Sequence, residues 1–213
     1  MKKLLIIVGG LIALFLVFLV IVVAIGASGY NRLNAENQNV NSKWAQVQND
    51  YQRRADLIPN LVNTVSGAAN FEKSTLTEIT EARASVGKVN INPNVAPGDA
   101  DTLAQFDKAQ GRLSSALSRL LVVVERYPDL KANSNFQTLQ AQLEGTENRI
   151  AVARRDFNDA VQAFNTHVKS FPTVFYAAFF GFKEKPYFSA TPGAETAPKV
   201  NFDFNSKAPA AKP

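Results

Sequence analysis

The sequence predicts an all-α protein: an N-terminal transmembrane helix continuous with an elongated antiparallel four-helix bundle. Three observations predict it. An uncharged apolar run, Leu4–Ala27, follows Met1-Lys2-Lys3. Behind it, apolar residues recur at alternating three- and four-residue steps, the seam spacing of packed helices. No stretch of the body shows the period-two alternation of a strand.

The apolar run comes first. A span needs about 20 apolar residues to cross a roughly 30 Å hydrocarbon core, and Leu4–Ala27 is long enough. A cleavable signal would carry an apolar region of about 7–15 residues, so residues 1–29 read as a retained anchor. The chain contains no Cys, which removes a cysteine-linked lipid as the tether. Lys2 and Lys3 are denser than Arg32 and Lys43 on the far side. The positive-inside rule then places the body outside the cytoplasm.

The formal net charge is +5, but Lys2, Lys3 and a Lys-containing tail supply most of it. Residues 30–190 hold 18 basic and 16 acidic side chains. A nucleic-acid binder concentrates a basic face, so no nucleic-acid partner is expected. The membrane bilayer is one expected partner, a protein is another, and self-association is compatible with the helical seams.

The first body helix carries Leu33, Val40, Trp44, Val47, Tyr51, Ile58, Leu61 and Val65, with Asn37 and Arg54 filling the same seam. Nothing but Gly29 separates it from the anchor, so the two read as one helix. Pro59 falls inside the pattern. It lacks an N–H and disturbs the carbonyl of Ala55, which then needs another donor. A kink is expected near Asp56–Ile58, and Ser66-Gly67 closes the helix, with Asn70 capping the next. The second helix, Phe71–Lys88, presents Leu76, Ile79, Ala82 and Val86. Residues 90–99, NINPNVAPGD, are a loop. The third, Ala100–Arg126, carries Leu103, Phe106, Gln110, Leu113, Leu117, Leu120 and Val124, and Pro128 stops it. The fourth starts after Asn133-Ser134-Asn135, runs to about Ser170, and carries Phe136, Leu143, Ile150, Phe157 and Phe164. Residues 171–190 crowd eight aromatics around Gly181 and Pro186 and read as a strap. The organisation is thus anchor 1–29, helical body with strap 30–190, and a Pro/Ala/Lys tail 191–213 too poor in apolar residues to fold.

No constellation for chemistry emerges. His167 is the one His, and Phe164 stands where a Glu-x-x-His metal motif needs Glu. Zinc-type clusters, a Gly-x-Ser-x-Gly elbow and a Gly-rich phosphate loop are absent from the sequence. The chain reads as a non-enzyme with no cofactor. The polar residues Arg53, Arg54, Asp56, Asn148, Arg155 and Asn158 lie in or beside the seams. They read as a network that fixes helix register; a ligand or partner site built from the same residues is the alternative. If the helices alternate up and down, the fourth returns to the membrane. Phe175, Phe179, Phe180 and Phe182 then stand at the headgroups, with Lys183 and Lys185 facing anionic lipid. Capping of the open end of the core is the competing role for these rings.

Four stretches carry a family likeness: RRADLIPNLV at 53–62; YPDLKAN at 127–133 with Phe136; LEGTENRI at 143–150 with Ala153-Arg154-Arg155 and Phe157-Asn158; and FFGFK at 179–183. In this order over residues 1–190 they make the chain resemble the LemA family of bacterial membrane proteins. The tail after Ala190 lies outside that likeness, and Asn41-Ser42-Lys43-Trp44 is a variant of the family's Trp-centred stretch. The resemblance implies a membrane helix, an antiparallel four-helix bundle, no established enzymatic activity and location in a bacterial inner membrane. A membrane-anchored scaffold or interaction protein is the expected function. The alternative is a sensor or receptor subunit that binds a small ligand or peptide in its polar seam.

Overall fold

The computed structural model describes residues 2–67, 71–89, 92–93 and 95–189, with side chains from residue 7. The tail 191–213, and the expected cap Asn70, lie outside the described residues. The described fold is all-helical: α1 (Lys2–Ser66), α2 (Lys73–Gly87), α3 (Ala100–Val124), α4 (Pro128–Lys131), α5 (Ser134–Lys169) and α6 (Thr173–Ala177).

Helix α1 runs unbroken for 65 residues, from the apolar run through Pro59, a length of about 98 Å. Side chains from Leu11 to Val23 stand uncovered by any other part of the chain. Among the described residues this is the one helix long and apolar enough to cross a membrane, and it fits a membrane anchor. At Pro59 the expected deficit is answered: Arg83 of α2 donates its Nε–H to the Ala55 carbonyl at 3.1 Å.

Helix α1 packs along α5, and its partners run in opposite sense. Glu36 meets His167 at 3.0 Å, Lys43 meets Asp156 at 3.1 Å and Arg54 meets Glu147 at 2.7 Å. Helix α2 lies against α3, pinned by Arg119–Glu78 at 2.6 Å and Arg126–Glu72 at 2.9 Å. The loop into α3 is tied to α1: the Trp44 indole N–H donates to the Asn92 carbonyl, and the Ala96 N–H to Asn41 Oδ1, both at 3.1 Å. Asp99 then caps α3 by accepting the Thr102 N–H at 2.7 Å. That bond holds its carboxyl below the usual carboxylate range.

Some boundaries differ from the sequence reading. Helix α2 starts at Lys73, not Phe71. Helix α3 ends at Val124, and Pro128 opens the one-turn α4 instead of stopping α3; a missing N–H costs nothing in a first turn. Asn133 itself caps α5, accepting from the N–H groups of Asn135 and Phe136, so α5 begins at Ser134.

The core falls into two apolar clusters stacked along the body. The one nearer the apolar run joins Leu33–Tyr51 to Leu103, Phe106, Ile150–Val168 and Phe188. The distal one joins Ile58–Val65 to Leu113–Val124, Phe136 and Leu143. At the boundary every seam turns polar: Arg54 lies between Tyr51 and Ile58, Gln110 between Phe106 and Leu113, and Thr146 and Glu147 between Leu143 and Ile150.

Candidate functional site

Arg54 is the centre of that polar layer, and its side chain is 1% exposed. Its Nη1 donates to Ser114 Oγ and to Glu147 Oε1, each at 2.7 Å; its Nη2 donates to the carbonyl and side-chain oxygens of Gln110. The Tyr51 ring lies 5.0 Å from the guanidinium carbon. One α1 side chain thus joins α3 and α5. A buried guanidinium holds its charge only when paired and hydrogen-bonded, so this layer fixes one alignment of three helices.

One turn nearer the apolar run, Arg154 of α5 repeats the design. It bonds Asp107 of α3 at 2.8 Å, the Tyr51 hydroxyl at 3.4 Å and the Ser189 carbonyl at 3.3 Å. Its guanidinium lies 4.4 Å from the centre of the Phe188 ring. Burial raises the Tyr51 phenol above its ordinary value, against the opposing pull of Arg154 and Arg54.

The aromatic strap explains why Arg154 reaches Ser189. After α5 the chain makes the short α6, then turns at Gly181, whose φ of 79° suits a residue without Cβ. The Phe182 N–H closes the turn on the Ala177 carbonyl at 2.9 Å. From there residues 182–189 run beside α5 without helix or strand partners. Asn165 and Asn158 hold this stretch by its main chain. Asn165 accepts the Lys185 N–H at 2.9 Å and donates to its carbonyl at 2.8 Å. Asn158 does the same to Phe188, at 2.9 and 3.0 Å. Seven helical residues rise about 10.5 Å, and three extended residues span about 10 Å, so the two clamps match the chain they hold. Phe188 enters the core, with ring centres 5.5 Å from Phe157 and 6.1 Å from Trp44.

The other end of the strap meets α1 where the apolar run ends. Tyr30 contacts Phe180 at 5.0 Å and Phe182 at 5.7 Å between ring centres. The Tyr176 ring covers Gly29 so closely that a Cβ there would lie within 2.6 Å of its Cζ. Phe171, Phe175 and Phe179 remain 81%, 75% and 84% exposed. Lys183 is exposed; Lys185 is half-buried, and burial pushes its ammonium below the ordinary lysine value.

The sequence-derived residues therefore separate into groups. Arg54 lies buried between α1, α3 and α5, and Asn158 holds the strap by the main chain of Phe188. Arg53, Asp56, Asn148 and Arg155 are exposed, and Asp56 meets only its own helix through Gln52 at 2.8 Å. Phe175 and Phe179 are exposed, whereas Phe182 packs partly on the core. The reading of site residues omitted Gly29, Gln110, Ser114, Glu147, Arg154 and Asn165. The signal for Asn165 is its seven-residue spacing from Asn158 opposite a Pro-containing segment; Glu147 and Arg154 fall in the family-like stretches at 143–150 and 153–158 and Gln110 in the third seam, while Gly29 and Ser114 show no motif. Among the described residues no group of three or more His, Asp or Glu side chains is arranged to hold a metal ion.

The sequence model of the LemA family matches residues 43–202. The chain belongs to the LemA family. The match continues past Ala190, where the sequence reading ended the likeness, and so takes in part of the tail. This LemA-family protein is similar to magnetosome protein MamQ 2 of Paramagnetospirillum magneticum, 26% identical over 182 residues covering 78% of this chain and 67% of that protein. It is likewise similar to magnetosome protein MamQ of Magnetospirillum gryphiswaldense, at 24% identity with the same coverage. Protein LemA of Metamycoplasma hominis is 23% identical over 143 residues, covering 67% of this chain and 61% of that one.

Proposed function

We propose that this LemA-family protein is a non-enzymatic scaffold anchored in a bacterial inner membrane. In this reading α1, α2, α3 and α5 form an antiparallel four-helix bundle outside the cytoplasm, standing on the anchor and offering its sides to a protein partner or to further copies. The observation that carries it is the meeting of Tyr176 with Gly29 at the end of the apolar run. In this reading the strap stands at the height of the membrane surface, with Phe171, Phe175 and Phe179 uncovered. Aromatic rings suit that interface. A rod held at its foot by a span and by a ring of phenylalanines keeps a fixed tilt, which is what a scaffold needs to present a surface.

The alternative, a sensor that binds a small ligand or peptide in the polar seam, draws on a cavity of about 760 Å³ lined by Tyr51, Arg54, Asp107 and Arg154. Its charges already satisfy one another, Arg54 with Glu147 and Arg154 with Asp107. That internal pairing favours the scaffold.

Crosslinking in intact cells followed by co-purification tests the proposal. A discrete partner or a ladder of multimers is expected, and it should weaken when Phe175 and Phe179 become Ala. Recovery of uncrosslinked monomer alone would overturn the scaffold reading. Protease added to spheroplasts is expected to cleave the body; protection of residues 30–189 would place it in the cytoplasm instead.

A further inference from the structure

Two polar residues interrupt the apolar seam of α1. Arg54 is answered by Gln110, Ser114 and Glu147. Asn37, between Leu33 and Val40, is not. Its side chain is half-buried, and among the described residues nothing donates to it or accepts from it. It lines a cavity of about 340 Å³ together with Lys183, Lys185 and the Phe164 ring.

The two lysines come from the strap. Two residues apart in an extended stretch, they fall on one face of it. Asn165 holds Lys185 by its N–H and carbonyl, so the side chain leaves from a fixed point. Its ammonium stands 5.8 Å from the centre of the Phe164 ring. It is half-buried, and no oxygen accepts from it among the described residues. Burial alone pushes it below the ordinary lysine value. Lys183 has no carboxylate partner among the described residues either. The neighbouring carboxylate, Glu184, is taken by Lys169 at 2.8 Å. Two ammonium groups and an amide thus border one space with no free counter-charge.

A half-buried ammonium without a counter-charge costs the fold that holds it. The clamp does not need it, because Asn165 bonds only the main chain of Lys185. An anion entering the cavity repays that cost. Two cations suit a group of charge near −2 better than a single carboxylate. A phosphate group carries about that charge at neutral pH and offers three acceptor oxygens, and lysine binds it as a point charge. We propose that Lys183, Lys185 and Asn37 form a phosphate site: the ammonium groups neutralise the phosphate and the Asn37 amide N–H donates to one of its oxygens. The cavity reaches from Phe180, which touches Tyr30 just past the apolar run, up to Asn37. A soluble phosphate ester and a lipid headgroup share this chemistry. Either one joins the strap to α1, since Asn37 belongs to α1 and both lysines to the strap.

Equilibrium dialysis of the full-length protein in neutral detergent against radiolabelled inorganic phosphate, at constant ionic strength, tests the site. Saturable binding of one phosphate per chain is expected. Lys185→Met and Asn37→Ala should each weaken it about ten-fold or more, the loss of one hydrogen bond to a charged group. Both variants should melt no lower than wild type, because each removes a polar group without a partner in the fold, so lost binding is not lost folding. No saturable binding to wild type would overturn the proposal, as would binding that both variants retain in full. Native mass spectrometry of the protein extracted gently from membranes then names the source. A phospholipid adduct that Lys185→Met loses assigns a lipid headgroup. A wild type without an adduct, or with one that the substitution leaves in place, assigns a soluble phosphate ester.

Discussion

Asn165 holds Lys185 by both ends of one side-chain amide, accepting the main-chain N–H at 2.9 Å and donating to the carbonyl at 2.8 Å. The contact reads backbone, not side chain, and it recurs at Asn158 and Phe188. It converts an irregular segment into part of the body without a strand partner.

Asn165→Ala and Asn158→Ala each strip the partners from a main-chain N–H and carbonyl. A loss of about 1–3 kcal/mol is expected from each, together with faster amide exchange at Lys185 or Phe188. Asp at either position keeps the acceptor and loses the donor, and should fall between wild type and Ala. Hydrogen exchange read residue by residue checks both statements.

Arg54→Ala is expected to cost about 1–3 kcal/mol, because it leaves buried Gln110 and half-buried Ser114 without their donor while the exposed Glu147 is free to turn to water. Arg54→Met, which refills the volume, should recover part of the loss. Chemical denaturation of the two variants, with midpoints and slopes compared, is the measurement.

Phe175→Ala with Phe179→Ala should leave stability within about 0.5 kcal/mol per site, as both rings are exposed. The same pair is expected to lower binding of a form lacking residues 1–29 to anionic vesicles several-fold in a flotation assay. Unchanged flotation would remove the strap from the membrane surface.

Lys185 supplies a pH dependence. Burial depresses its folded-state pKa below the unfolded value, so at neutral pH the folded protein bears the cost of a half-buried ammonium. That cost is relieved as pH rises through the folded pKa toward the unfolded value. Lys185→Met should therefore raise the melting temperature at neutral pH, and the gain should shrink in alkali. A gain constant across pH would mean that packing, not charge, is responsible.

The helices, their seams and the long apolar N-terminal stretch follow from local sequence alone. Leu33 to Val65, Leu103 to Val124 and Phe136 to Val168 are buried where the three- and four-residue steps place them. Helical periodicity is a local property, so a short window contains it. The same logic exposed the deficit at Ala55, since Pro59 creates it four residues away, but not that Arg83 would answer it. What only the tertiary structure decided is which polar residues meet. Arg53 and Arg54 are neighbours of the same chemistry, yet one faces solvent and the other lies between two apolar clusters. The difference is about 100° of helix rotation together with the positions of Gln110 and Glu147, 56 and 93 residues away. The strap was legible as an aromatic cluster, but its division into rings against the core and rings facing outward required the fold. Its hold on α5 runs through main-chain atoms, which every residue possesses and no sequence pattern distinguishes.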